Sequence, residues 1–333
     1  MEAILKIYDE NKKSITTALY VIGIVLVLLW LVPIIGQQRP SRLLQSLITG
    51  LLVGGVYSLI ALGIVIINKA SGVFNFAHGF MMLFGGLVFY SFFSTANVSP
   101  VVAVLLSGAT VLIVLTMNGR AGLQNPRSLA IGAVVVLVLT AALTLPGQEL
   151  RLLKALLGAI LGAVLLGLVI ERFTIRPLIG QPLFTIVLMT LALDQLLLGA
   201  TQLTWGSVEI PLQIFSGLNE LGIPTPIRWD ATELLGGNII IRTELLATFV
   251  LAVLAFLAFV LFFRYTNVGL AMRATAENQQ LAQSVGLRVR FILAVAWGIA
   301  ALLAATAGVL QGGATSLSLN LPLLALRAFP AVL

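Results

Sequence analysis

The sequence has no cysteine, a single histidine and few charged residues. The lack of cysteine excludes a disulfide framework and any cysteine-ligated metal site. Because His78 is the one histidine, a histidine cluster that binds metal is excluded as well. Charged residues are 9% of the 333 positions, whereas a soluble domain has about 25%. So few charges cannot cover a surface for water, and we expect this surface to face lipid.

Motifs for nucleotide and hydrolytic chemistry are also missing. No lysine follows a glycine, which excludes the phosphate-binding loop G-x-x-x-x-G-K-[ST]. Neither H-E-x-x-H nor G-x-S-x-G occurs. The basic residues lie singly between apolar runs, which argues against a nucleic-acid-binding patch. The sequence therefore predicts a chain that does not bind and hydrolyse ATP in that way by itself.

Long apolar runs make up most of the sequence, with 59% hydrophobic residues. A bilayer core of about 30 Å needs about 20 apolar residues per helix. The runs predict an all-α integral membrane bundle of about nine or ten transmembrane helices, at 18–35, 43–67, 74–93, 101–117, 128–146, 154–170, 183–200, 239–263 and 291–311. A tenth span begins near Leu321, and because the sequence stops in apolar residues we interpret it as truncated at the C-terminus.

The distribution of lysine and arginine predicts the orientation. With the N-terminus in the cytoplasm, the inner segments hold about twice as many basic residues as the outer ones, as the positive-inside rule requires. The first span lacks a small-residue cleavage site and follows acidic residues, so we expect a membrane anchor and no signal peptide. The loop 201–238, rich in Pro and Gly, then lies outside as a lid, a docking platform or a plain connector.

The inner segment 264–290 contains a stretch of high helix propensity, Ala271–Ser284. Its spacing predicts one short cytoplasmic helix with Arg273, Glu277, Gln280 and Ser284 on a common face. Gly286 follows as a natural stop. Two interpretations follow: the helix transmits movement of a cytosolic partner into the bundle, or it is a solvated amphipathic connector.

A glycine-containing break interrupts the apolar sequence at 71–79 and predicts a broken or re-entrant segment. If residues 75–79 are helical, Asn75 and His78 share a face. Polar side chains at membrane depth need partners or water. They line a substrate path beside a broken helix, or form an internal hydrogen-bonded pair that fastens two helices.

Asp194 lies near the middle of the span 183–200, next to Gln195. An intramembrane carboxylate is a functional candidate, so we predict a role on the translocation path, with snorkelling to the interface as the alternative. Three G-x-x-x-G motifs, which begin at Gly50, Gly158 and Gly308, predict close helix packing.

Three stretches resemble one family, the permease subunits of ABC importers for branched-chain and other amino acids, which includes urea-type relatives. The first is GLLVGGVYSLIALGIVIINKASGVFNFAHG at 50–79, with the motif N-F-A-H-G. The second is ERFTIRPL at 171–178, and the third is GLAMRATAEN at 269–278, continuing to Gly286. The sequence departs from the family at Phe80, where an acidic residue often stands.

This resemblance implies a permease domain at 43–333, after an N-terminal tail and an extra helix at 1–42, with a helix pair inserted within 101–146. It implies a cell inner-membrane location and the partners of such importers: cytosolic ATP-binding subunits that bind the ATP, a second permease subunit and an external solute-binding protein. The loop 264–290 would be the coupling loop, with contacts to the ATPase at Arg273, Ala276, Glu277, Asn278, Ala282 and Gly286.

Three other functions fit parts of the sequence. One is a urea or amide importer of the same family. Another is a stand-alone secondary transporter or channel that uses Asp194 and His78 as proton or ion sites. A membrane enzyme with Asp194 as its catalytic group is disfavoured, because no second intramembrane carboxylate or nucleophile accompanies it.

Overall fold

The computed structural model describes residues 20–332, apart from 28, 31, 34–35, 96, 118, 120, 148, 208 and 216–221. Helices dominate these residues, and one two-stranded sheet accompanies them. The predicted all-α polytopic fold is therefore confirmed.

The helices and strands follow each other along the chain in this order. They are α1 Pro40–Ser71, α2 His78–Ser94, α3 Pro100–Leu115, α4 Ala121–Gln124, α5 Pro126–Thr144, α6 Arg151–Ile170, the π-helix Glu171–Ile175, the 3-10 helix Arg176–Leu178, α7 Leu183–Trp205, β1 Ile227–Trp229, α8 Thr232–Leu235, β2 Ile239–Ile241, α9 Thr243–Tyr265, α10 Asn267–Glu277, α11 Gln279–Ser284, α12 Val289–Ala314, α13 Leu323–Ala328 and the 3-10 helix Phe329–Ala331.

Within the described ranges, six helices are long and apolar enough to cross a membrane: α1, α5, α6 with its extension to Leu178, α7, α9 and α12. The shorter helices α2 and α3 are also apolar and coincide with two further predicted spans. The predicted span 18–35 lies partly outside the described residues, and 20–27 of it are helical. The predicted start of the span 239–263 is wrong, because residues 239–241 form strand β2.

The chain divides into two compact units, of which the smaller comprises residues up to Leu51 together with Pro226–Arg242. In it, β1 and β2 pair antiparallel, with Arg228 opposite Ile240. The Gln45 side chain bonds both backbone groups of Ile240: its Nε2 donates to the carbonyl at 2.7 Å, and its Oε1 accepts from the N–H at 2.7 Å.

The larger unit comprises Leu52–Thr225 and Thr243–Leu333, and its core is formed by α2, α6 and α12. Trp297 of α12 is fully buried there. A Cβ atom at Gly308 would overlap the Met82 carbonyl of α2, so only glycine allows this approach of α12 and α2.

The predicted G-x-x-x-G contacts are confirmed for two of the three motifs. Gly308 packs on α2 as just described, and Gly158 and Gly162 of α6 also pack on α2, against Phe92 and Val88. Gly50 and Gly54 have no atom within 4 Å of an added Cβ. The first motif therefore makes no close helix contact with the residues that the structure describes.

Candidate functional site

The predicted break at 71–79 is present between α1 and α2. Gly72 has a φ of +72°, a conformation that favours glycine, and it ends the helical path directly after Ser71. Asn75 Oδ1 accepts a hydrogen bond from the Ala77 N–H at 3.1 Å, and its Nδ2 donates to Met81 Sδ at 3.2 Å. Asn75 therefore holds the entry into α2. Because α2 begins only at His78, the two side chains do not share a helical face as predicted.

His78 is fully buried at the first position of α2. Its ring packs on α1 at Gly63, where an added Cβ would lie 2.7 Å from His78 Nε2. Neither ring nitrogen has a hydrogen-bond partner in the part of the chain that the structure describes. Asn75 and His78 therefore do not form the hydrogen-bonded side-chain pair that was the alternative prediction.

The predicted coupling helix is two helices. The backbone of Asn278 is extended (φ −156°, ψ 106°) and separates α10 from α11. Its Oδ1 accepts from the Leu281 N–H at 2.9 Å, which caps the start of α11. The prediction that residues 273–284 present one continuous helical face is therefore wrong, because the cap turns the chain between Glu277 and Ser284.

The two halves of this segment have buried and exposed sides. Its buried side chains are Met272, Thr275 and Ala282, each at most 3% exposed, so Ala282 packs into the bundle and does not face a partner. Its exposed residues include Glu277 and three large apolar side chains: Leu270, Leu281 and Val285. We call these four residues the docking face. Large exposed apolar side chains on a segment outside the membrane spans are candidates for contact with a partner protein.

The ends of the segment are fixed by local contacts. The Arg273 guanidinium lies over the Phe263 ring at 5.5 Å and donates to the Arg264 carbonyl at 3.5 Å, which ties α10 to the end of α9. Gly286 has a φ of +86°, and the Leu287 N–H bonds the Ala282 carbonyl at 3.0 Å. This is the Schellman stop predicted at Gly286.

Two cavities lie between the coupling segment α10–α11 and the helix break at 71–79. One of about 370 Å³ lies between Ser71–Val73 and the pair Thr275 and Ala276. Another of about 540 Å³ is lined by Lys69, Arg273 and Glu277 among others. Both cavities are lined by Gly72 and Ala276. The structure thus places the break that leads to His78 directly beside α10.

Asp194 lies apart from this arrangement. It is half-buried near the middle of α7, and its Oδ2 accepts from Gln195 Nε2 at 3.1 Å. Helix α7 instead reaches the break through Thr190, whose fully buried hydroxyl lies 3.4 Å from the Phe76 nitrogen and 3.5 Å from the Phe74 oxygen. Threonine is common in apolar helices, so no sequence signal distinguished Thr190.

The stretch ERFTIRPL contains a buried ion pair that the sequence did not predict. Glu171 is 1% exposed and accepts two bonds from Arg176, Nε to Oε1 at 3.0 Å and Nη2 to Oε2 at 2.8 Å. In an α-helix these positions would be about 140° apart. The π-helix closes an i to i+5 backbone bond from Arg176 to Glu171 and brings them onto one side.

Arg172 connects the same stretch to helix α3. Its Nη1 donates to the Thr116 carbonyl at 2.8 Å and to Thr116 Oγ1 at 2.6 Å, at the C-terminal end of α3. A cation at a helix C-terminus is favoured by the carbonyl groups that end there. The stretch therefore fastens the ends of three helices, α3, α6 and, through the contacts of the π-helix, α12.

Comparison with known proteins identifies this architecture. A profile described as the permease component of branched-chain amino acid transport systems matches residues 119–319, more than half of the chain. The chain belongs to this family. With the apolar helices described above, it is a multi-pass membrane protein and an amino-acid ABC importer permease.

Individual relatives agree with the family. The high-affinity branched-chain amino acid permease protein LivH is 25% identical over 273 residues, both in Salmonella typhimurium and in Escherichia coli K12. These alignments cover 81% of this chain and 70% of LivH. The corresponding protein BraD of Pseudomonas aeruginosa is 26% identical over 271 residues, with the same two coverages. No solved structure matches the chain.

Proposed function

We propose that the chain imports branched-chain or other neutral amino acids as a subunit without catalytic activity of its own. Its partners would be cytosolic ATP-binding subunits, a second permease subunit and an external solute-binding protein, and ATP would bind to the cytosolic partners. Family membership and the named function of LivH and BraD support this proposal.

The observation that carries the mechanism is the position of α10 beside the helix break. Movement of a partner bound to the docking face would reach α9 through the Arg273–Phe263 contact. It would reach α12 through the tight turn at Gly286. The two cavities lined by Gly72 and Ala276 leave room for α10 to shift against the end of α1. Tilting of α9 and α12 would then alternate access between the two sides.

The proposed orientation has the N-terminus in the cytoplasm of a cell inner membrane. It is supported by the position of the basic side chains. Lys69, Arg172, Arg264 and Arg288 all lie at the span ends that also carry the coupling segment α10–α11. A two-to-one excess of basic residues at these ends is what the positive-inside rule requires of the cytosolic side.

The test is reconstitution of the full-length chain with its ATPase, second permease and binding-protein subunits in vesicles. ATP-dependent uptake of leucine and alanine is expected, with little uptake of urea. Uptake of urea alone would favour the urea-type relatives. Uptake driven by a pH gradient without the ATPase subunits would overturn the importer proposal.

Charge reversal tests the docking face within the same assay. Glu277→Arg is expected to lower ATP-driven uptake at least tenfold, and together with Gly286→Pro to abolish it, while membrane insertion stays intact. Glu233→Arg is the matched control, since Glu233 is also exposed and lies in α8, outside the coupling segment. Full uptake by the Glu277→Arg, Gly286→Pro variant would remove the coupling role.

A further inference from the structure

A second cluster of cations surrounds a cavity that the transport mechanism does not use. This cavity has a volume of about 590 Å³, and three arginines line it: Arg176, Arg288 and Arg290. Neither aspartate nor glutamate is among its lining residues. It therefore has the charge of a site for an anion.

The cations are only partly neutralised. Arg176 uses its Nε and Nη2 groups for the bidentate pair with Glu171. Arg288 and Arg290 are exposed, and their side chains make no ion pair or hydrogen bond with the residues that the structure describes. With the neighbouring Arg172 counted, three guanidinium groups thus act on the Glu171 carboxylate: those of Arg172, Arg176 and Arg290. Planar guanidinium groups with free N–H donors match the oxygens of a phosphate group.

The cavity lies at the ends of several apolar helices. Three apolar helices have an end beside it: α3 just before Met117, the extension of α6 just before Ile179, and α12 at its first residue Val289. Because span ends mark the boundary between the apolar core and water, this is the depth of lipid headgroups. Arginine pockets between spans at this boundary are suited to anionic headgroups.

The lining has the two kinds of surface that an amphiphile needs. The arginines provide the donors, while Met117, Ile179 and Phe291 provide apolar contacts next to them. A small inorganic anion would make no favourable contact with these apolar side chains. We propose that this cavity binds the phosphate of an anionic phospholipid headgroup, with the glycerol and upper acyl chain on the apolar side.

The site has a consequence for the coupling segment. Gln283 of α11 lines the cavity together with the first turn of α12. A bound headgroup would therefore hold α11 against α12, next to the stop at Gly286. Anionic lipid would then stabilise the position of the coupling segment, a property that transport of a particular solute does not require.

The test uses the full-length chain, purified in detergent and depleted of lipid. Dioctanoyl phosphatidylglycerol, dioctanoyl phosphatidylcholine and inorganic phosphate are titrated separately while the thermal midpoint is measured. At ten times the Kd, phosphatidylglycerol is expected to raise the midpoint by about 3 °C. Phosphatidylcholine and phosphate at the same concentrations are expected to leave it unchanged.

Matched variants assign the effect to the cavity. Arg288→Gln with Arg290→Gln is expected to lose the shift, and Arg288→Lys with Arg290→Lys to keep part of it. Arg39→Gln with Arg228→Gln, two exposed arginines elsewhere, is expected to keep all of it. Should the double glutamine variant not fold, Arg290→Gln alone is measured by native mass spectrometry, with fewer bound phosphatidylglycerol molecules expected.

Three results would overturn the proposal. One is a phosphatidylglycerol shift that survives in the glutamine variant, which would place the lipid elsewhere. Another is an equal shift with inorganic phosphate, which would make the cavity a site for a free anion. The third is an equal shift with phosphatidylcholine, which would leave the arginines without a role. All three measurements are independent of uptake, so they stand apart from the importer proposal.

Discussion

Arg176 and Glu171 form a bidentate ion pair five residues apart, which the π-helix between them makes possible. Glu171 is almost completely buried, so loss of Arg176 leaves its carboxylate without hydrogen-bond donors and with only the unbonded charges of Arg172 and Arg290 nearby. We expect Arg176→Met to lower the free energy of unfolding by about 3 kcal/mol. The thermal midpoint in detergent measures this, and the double variant Glu171→Met, Arg176→Met is expected to recover most of the loss. Equal losses in the single and double variants would contradict the pairing.

Gly63 and His78 provide a test of packing at the helix break. An added Cβ at Gly63 would meet the buried imidazole ring, so Gly63→Ala is expected to destabilise the protein by about 2 kcal/mol. Gly54→Ala is the control in the same helix, since nothing lies within 4 Å of its Cβ. Adding His78→Ala to Gly63→Ala should relieve the clash, and a double-mutant cycle on thermal stability detects the coupling. Additive losses would show that the two residues do not touch.

Leu281 is 62% exposed on the docking face of the coupling segment. If a cytosolic ATPase binds there, Leu281→Glu should weaken the complex about tenfold without lowering the stability of the permease. Leu234→Glu is the matched control, because Leu234 is 82% exposed and lies in α8. Co-purification of the ATPase subunits with each variant gives the measurement. Equal recovery with both variants would contradict the assigned surface.

Lys154 is 1% exposed, and its ammonium group donates to the carbonyls of Leu145 and Gly147 at 3.3 and 3.2 Å. These carbonyls follow the end of α5, where a cation is favoured. Lys154→Met is expected to lower the free energy of unfolding by about 2 kcal/mol, because the carbonyls lose a charged donor. Lys69→Met, at an exposed lysine, is expected to change it by less than about 0.5 kcal/mol. A thermal midpoint for Lys154→Met equal to that of Lys69→Met would contradict the role.

The spans were predictable because a helix that crosses a bilayer needs a run of apolar residues of fixed length, and this constraint is local. The prediction of a span fails where an apolar run forms a different secondary structure. Ile239, Ile240 and Ile241 are apolar enough to extend a span, yet they form β2 by pairing with the segment 227–229, which lies ten to fourteen residues earlier. Short apolar runs do not distinguish a strand from a helix.

The candidate site was predictable in outline but not in geometry. The break before His78 followed from glycine and polar residues inside an apolar run, and the stop at Gly286 from glycine at a helix end. The interruption at Asn278 did not, because helix propensity favours continuation while the Asn side chain can also cap a new helix. The Glu171–Arg176 pair was hidden because it depends on a π-helix, which residue spacing alone does not indicate.

The Gln45 side chain occupies both backbone groups that Ile240 directs away from β1. At this position the free edge of the two-stranded sheet is therefore closed, and a third strand could add there only by displacing an amide already bonded twice. A strand that pairs with β2 must consequently displace this amide at Ile240, whereas the exposed side chains of Trp229 and Arg228 on β1 are accessible to a partner without any such displacement.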